Sequence, residues 1–244
     1  MFRVLASIAA LLLAGTVHAE TITLRGNNNV APKAWQDGST PRGYAVEAAI
    51  AVLQEAGLQA EVKLAPFAQA MELALTEGGV VTGVFHTKER AEKYLFSTNL
   101  VDDTVLVVVK KGKEFKLNTA ADLAGKRVGY QEGARFGQEF EDAVKSFTSV
   151  TDNDPKVRLK RLLDGELDAA IINPGLGALA MGTKAAGLDM REFSALPTPI
   201  ALLPNYMVMA KGPANEATMT RINAAIKKLS ANGTLQKIRA SYDH

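Results

Sequence analysis

Two apolar, β-branched stretches, residues 103–109 (Asp-Thr-Val-Leu-Val-Val-Val) and 200–209 (Ile-Ala-Leu-Leu-Pro-Asn-Tyr-Met-Val-Met), do most to limit what this chain can fold into. Each is too long and too β-prone for a simple loop, and together they bracket one complete run of strand and helix signals. We read them as crossover strands joining a discontinuous lobe, residues 20–107 plus 206–244, to an inserted lobe, residues 108–205. A single continuous domain in which both are ordinary core strands is the alternative.

Strand and helix signals alternate on both sides of these stretches. Residues 21–25 read as a strand, and residues 44–56 as a helix with apolar positions at Val46, Ala49, Ile50 and Leu53, stopped by Gly57. A strand over 60–64 follows. Pro66 then opens a helix through residue 75, where a proline in the first turn removes only a donor that had no partner. Glu77-Gly78-Gly79 ends that helix before the apolar run 80–85. Between the bracketing stretches come a strand at 127–130, helices at 136–147 and 155–163, a strand at 167–172 and a helix at 175–183. Such alternation predicts an α/β fold with mostly parallel sheets.

Residues 1–19 have the parts of a secretory signal: Arg3, an apolar stretch over 4–14, and the small-residue cleavage site Val17-His18-Ala19. The apolar stretch, about eleven residues, falls short of the roughly 20 needed to cross a bilayer core. The chain has no cysteine, hence neither a disulfide framework nor a lipidation site, and the expectation is an untethered, soluble periplasmic protein. About 225 residues bury a sizeable core without cross-links.

Removing Arg3 with the signal leaves 27 basic residues against 26 acidic ones. That balance carries no electrostatic footprint for nucleic acid. The two basic concentrations, residues 110–113 and 156–161, read as solvated faces. There is no Gly-rich phosphate loop and no Gly-x-Ser-x-Gly turn, and the histidines are His18, His86 and His244. His86 has the intrinsic pKa of a general base, but nothing in the sequence orients it. No cofactor and no metal are expected.

One segment points further. Thr87-Lys88-Glu89-Arg90 and Phe96-Ser97 follow the apolar run 80–85, and the stretch resembles the Thr-x-Glu-Arg…Phe-Ser signature of the family 3 periplasmic solute-binding proteins. Further likenesses run along the chain. Gly43-Tyr44-Ala45-Val46-Glu47 opens a helix as the family's Gly-Phe-Asp-x-Asp does. Asp122-Leu123-Ala124-Gly125-Lys126 with Val128-Gly129 and Gly133 resembles its Asp-Leu-x-Gly-Lys-x-Val-Gly-x-x-x-Gly, residues 162–173 its Leu-x-x-Gly-x-x-Asp-Ala, and residues 222–242 its C-terminal helices. The resemblance implies two mostly parallel, helix-flanked sheets joined by two crossover strands, with a small solute held between them. It also implies a monomer whose partner is an inner-membrane ABC permease.

In that family the arginine clamps the ligand's carboxylate, so Arg90 is the first candidate contact. A guanidinium presents a planar fork of donors that matches a carboxylate and stays charged at any working pH. Thr87 adds a hydroxyl and free backbone N–H groups at a helix start. Phe67 stands where the family often has an aromatic wall, and Trp35, the sole tryptophan, lies in a polar Gly/Asn/Pro-rich loop over 26–41. Four positions depart from the amino-acid receptors. Phe85 and Ala134-Arg135 stand where hydroxyl donors are usual, and Asn173 stands where the members that bind an α-amino group place an acid. A neutral amide does not compensate an ammonium in a desolvated cleft. Zwitterionic amino acids, a dicarboxylate, a keto or hydroxy acid and an uncharged-amine compound all stay open as cargo, with Arg135 as a second cation at the mouth. Asp168 falls out of register with Asn173 and reads as structural. A dehydratase on the same scaffold, of the cyclohexadienyl dehydratase type, and an accessory that docks on a membrane receptor are the alternatives to a transport protein.

Overall fold

The alternation of side chains along a strand decides how the two bracketing stretches are used. In the computed structural model, which describes residues 20–134 and 136–243, they are ten-residue strands, Val101–Lys110 and Ala201–Ala210. Val105, Val107 and Val109 enter one apolar cluster with Leu123, Phe140 and Phe147, while Leu106 and Val108 enter another with Leu159, Leu162 and Leu179. Met207 and Met209 join Leu53 and Ile222 in a third, and Val208 joins Met71 and Tyr94 in a fourth. Successive side chains point to opposite faces, so a strand apolar at every position must be covered on both.

Each of these strands changes partners midway. Residues 101–105 pair antiparallel with 201–205. Residues 106–108 then pair with the strand Ala169–Ile172, and residues 206–208 with Val80–Val84. Beyond Ala169–Ile172 lie Arg127–Gln131 and Thr148–Asp152, all parallel; beyond Val80–Val84 lie Glu20–Asn27 and Leu58–Ala65, again parallel. Each half is therefore three parallel strands edged by one antiparallel crossover, to which a short strand, Tyr94–Phe96 in the first half and Phe193–Ala195 in the second, adds antiparallel. Helices Tyr44–Glu55, Pro213–Ala231 and Thr234–Ala240 cover one face of the first half and Phe67–Thr76 the other. Gln138–Ala143 and the pair Pro155–Leu163 and Gly175–Ala186 do the same for the second. The fold is two-lobed α/β, as the alternation predicts.

Three local expectations change. The loop over 26–41 contains a small antiparallel sheet of Asn29–Val30, Ala34–Asp37 and Thr40–Arg42. The helix expected over 136–147 is only Gln138–Ala143 followed by a 3-10 turn, Val144–Ser146, because Gly137 at φ 100° stands outside the helical region. Thr148–Asp152 is an unanticipated strand at the sheet's edge, polar because its face is open to water. The secretory signal expected over 1–19 lies outside the described residues. Among the described residues no helix is long and apolar enough to cross a membrane.

Candidate functional site

Strand Val80–Val84 of one half and the parallel strands Arg127–Gln131 and Ala169–Ile172 of the other end at one crevice, and the residues that follow them line it. Open α/β sheets bind ligands outside the carboxyl ends of their strands. The crevice has two connected compartments, of about 610 Å³ and 240 Å³, sharing Phe85, Arg90, Gln131 and Asn173 as common wall. Leu203 and Pro204 of the second crossover strand line the larger one.

Arg90 stands at that common wall. It belongs to a short helix, Lys88–Lys93, whose start is fixed by Thr87: the threonine Oγ1 accepts a hydrogen bond from the Arg90 backbone N–H at 3.2 Å. The Thr87 hydroxyl hydrogen is left to donate elsewhere. The guanidinium is half-buried, lies 5.0 Å above the Phe67 ring and donates from Nη1 to the Phe85 carbonyl at 2.8 Å. Among the described residues it forms no salt bridge. Burial pulls its pKa below the usual arginine value, against the opposing influence of Glu89 and Tyr94.

The other described lysine and arginine of the crevice, Lys33 and Arg158, are already paired. Lys33 is 7% exposed; its Nζ meets Asp103 Oδ2 at 3.1 Å and lies 4.0 Å above the Phe85 ring. Burial lowers its pKa, and the Asp103 carboxylate opposes that shift. Asp103 Oδ1 accepts from the Tyr44 hydroxyl and from Asn205 Nδ2 at 2.7 Å, so its oxygens are occupied. Gly83 makes room for the lysine: its φ of 73° favours glycine, and a Cβ there would stand 2.9 Å from Lys33 Cε. Arg158, on the other side of the crevice, grips Asp152 with two bonds of 3.0 and 2.7 Å and donates to the Ile171 carbonyl at 3.0 Å. Asn173 lines both compartments, and its Oδ1 is buried without a hydrogen-bond partner among the described residues.

Of the candidate residues, Arg90, Thr87, Phe85, Phe67, Ala134 and Asn173 thus come together at the crevice. Trp35 does not line it. Its strand turns the preceding residue, Ala34, into the smaller compartment, so Trp35 points the other way and meets the Tyr242 ring edge-on at 6.1 Å. Arg135 lies outside the described residues. Asp168 binds Arg127 through both oxygens, away from the crevice. His86 lines the larger compartment but rests against the rings of Phe96 and Tyr206 with no side-chain hydrogen bond. Lys33, Asp103 and Arg158 are the residues sequence reasoning missed. Lys33 and Asp103 are 70 positions apart, and no spacing rule links them. Among the described residues no group of three or more His, Cys, Asp or Glu side chains is placed to hold a metal ion.

A family model for bacterial extracellular solute-binding proteins, family 3, matches residues 22–243. The chain belongs to that family. It is 30% identical over 162 residues to the L-cystine-binding protein TcyJ of Escherichia coli (strain K12), covering 65% of this chain and 57% of that protein, under two thirds of the relative's length. It is also 24% identical over 218 residues to the membrane-bound lytic murein transglycosylase F of Ectopseudomonas mendocina (strain ymp), covering 85% of this chain and 43% of that protein. Among solved structures, the probable amino-acid ABC transporter extracellular-binding protein ytmK of Bacillus subtilis superposes with a TM-score of 0.75 at 19% identity, covering 92% of this chain and 99% of that one. At that identity the likeness concerns the fold.

Proposed function

We propose that this family 3 protein is the periplasmic substrate-binding component of an ABC importer, capturing a small carboxylate-bearing solute between a lobe of residues 20–107 and 206–244 and a lobe of residues 108–205. The observation that carries the reading is Arg90: a half-buried guanidinium without a salt bridge among the described residues, at the wall shared by both compartments. Lys33 and Arg158 have their own carboxylates; Arg90 has only a carbonyl and a ring. A bound carboxylate supplies the missing charge in bidentate geometry. The Thr87 hydroxyl contributes a further donor, Phe67 and Phe85 the apolar walls, and closure of the lobes over the solute is the signal read by an inner-membrane permease. The protein acts as a monomer on this reading.

A catalytic reading has less to stand on. The cleft position after the strand Ala169–Ile172 is the neutral Asn173, and no side chain orients His86 as a base.

The test begins with protein unfolded and refolded to strip carried-over ligand, then screened against amino acids, keto acids, hydroxy acids and dicarboxylates by thermal shift. A ligand at 100 times its Kd stabilises the native state by about 2.7 kcal/mol. By calorimetry, Arg90→Ala is expected to lose about 2–5 kcal/mol of affinity with the fold intact, the cost of truncating one member of a desolvated charge pair. Binding within twofold of the wild type would remove Arg90 from the site.

A further inference from the structure

The charges around the crevice narrow the ligand beyond its carboxylate, and the argument rests on the carboxylate reading of Arg90. Lys33 is neutralised by Asp103 and Arg158 by Asp152. Glu132, at the outer rim of the larger compartment, is exposed and accepts from Asn153 Nδ2 at 2.9 Å. Among the described residues the inner walls therefore carry a surplus of one positive charge, at Arg90. A monoanion cancels it. A zwitterion does not, since its ammonium would enter beside Lys33 and Arg90 with every inner carboxylate already engaged, and like charges repel most where water is excluded.

Asn173 adds the second constraint. The residue lines both compartments, and its Oδ1, buried in this structure, has no donor among the described residues. A buried acceptor left unpaired costs free energy, and a neutral N–H or O–H satisfies it without adding a charge. The side compartment beyond it, walled by Phe67 and Phe85, gives room for an apolar group next to that donor. We propose that the ligand is a carboxylic acid bearing a neutral hydrogen-bond donor where an amino acid bears its ammonium, that is, a 2-hydroxy acid or an N-acylated amino acid. Arg90 takes the carboxylate and Asn173 Oδ1 accepts the hydroxyl or amide hydrogen. A 2-oxo acid has no such hydrogen and leaves Oδ1 unpaired.

Calorimetry on ligand-free protein with matched sets decides this. Each set keeps one side chain (leucine, phenylalanine or glutamate) and varies the 2-substituent among ammonium, hydroxyl, acetamido and oxo. In the best-bound set, the hydroxy or N-acetyl acid is expected to bind at least about tenfold tighter than the free amino acid. The hydroxy and acetamido arms tell the two sources of the donor apart. Asn173→Asp, nearly isosteric, is expected to reverse the order, and Asn173→Ala to erase the advantage of the hydroxy acid over the oxo acid. A free amino acid that binds wild type as tightly as its neutral-donor counterparts overturns the inference, as does an oxo acid that matches the hydroxy acid, or no binding across the panel. Arg90→Ala separates the two levels of failure. If amino acids bind tightly and lose that affinity in Arg90→Ala, only the neutral-donor inference falls; if affinity survives the change, the carboxylate clamp falls with it.

Discussion

Lys33 shows what a buried charge demands of a single position. Its ammonium has lost most of its water and holds its place through Asp103 and the Phe85 ring. Asp103 in turn collects hydrogen bonds from Tyr44 and Asn205, so four separate segments meet on one carboxylate at the base of the crevice. Removing the lysine leaves that carboxylate buried without a counter-charge, which typically costs about 3–5 kcal/mol. Lys33→Met is therefore expected to lower stability by about that amount in urea unfolding. Combining it with Asp103→Asn should recover part of the loss, because replacing both ions is far cheaper than orphaning one. A double variant no more stable than Lys33→Met alone would show that the pair is not what holds this region.

Among the elements, the edge strand Thr148–Asp152 depends on its neighbour helix. Arg158 reaches from Pro155–Leu163 to both oxygens of Asp152 and to the carbonyl of Ile171, tying a helix and two strands together around side chains only 6% and 8% exposed. Arg158→Ala is expected to cost about 3–5 kcal/mol, with early loss of amide protection in Thr148–Asp152 by hydrogen exchange. The helix itself was legible from local residues: Asp154 accepts from the Lys156 N–H, Pro155 occupies the first turn, and Gly165 follows the end. The strand was not, because Thr-Ser-Val-Thr-Asp at an open edge shows no apolar alternation to distinguish it from a loop. The same contrast divides the crevice. Arg90 and Thr87 stand out through the contiguous motif that resembles the family's signature, and Asn173 through the family position it occupies at a strand end. Trp35 misleads because its residue type says nothing of which face of a short strand it takes, and Lys33 and Asp103 meet only through the folded chain.

Across the whole molecule, the two lobes touch outside the crevice at a glycine. Gly177, in the helix Gly175–Ala186, lies so near the C-terminal segment that a Cβ would stand 1.9 Å from the Tyr242 carbonyl oxygen and 3.1 Å from Pro32 Cγ. Glycine inside a helix costs about 1 kcal/mol relative to alanine, so close approach is what the position gains from it. A Cβ there meets a backbone atom in the described conformation itself, so Gly177→Ala forces the two segments apart, and the melting temperature of ligand-free protein should fall despite alanine's better helix propensity. An unchanged or raised melting temperature would show that the segments part at little cost.

The antiparallel ribbon of residues 101–105 and 201–205 is where the sheet passes from one lobe to the other. Two strands side by side are narrow and bend more readily than the broad sheets they connect, so the closure proposed above would use the pair as the pivot of a lever with long arms on either side. On that proposal, a small rotation that brings Arg90 and Asn173 onto a solute would sweep the outer rims of both lobes through much larger arcs. A solute of a few atoms would then be announced at a distance by the spacing of two surfaces it never touches.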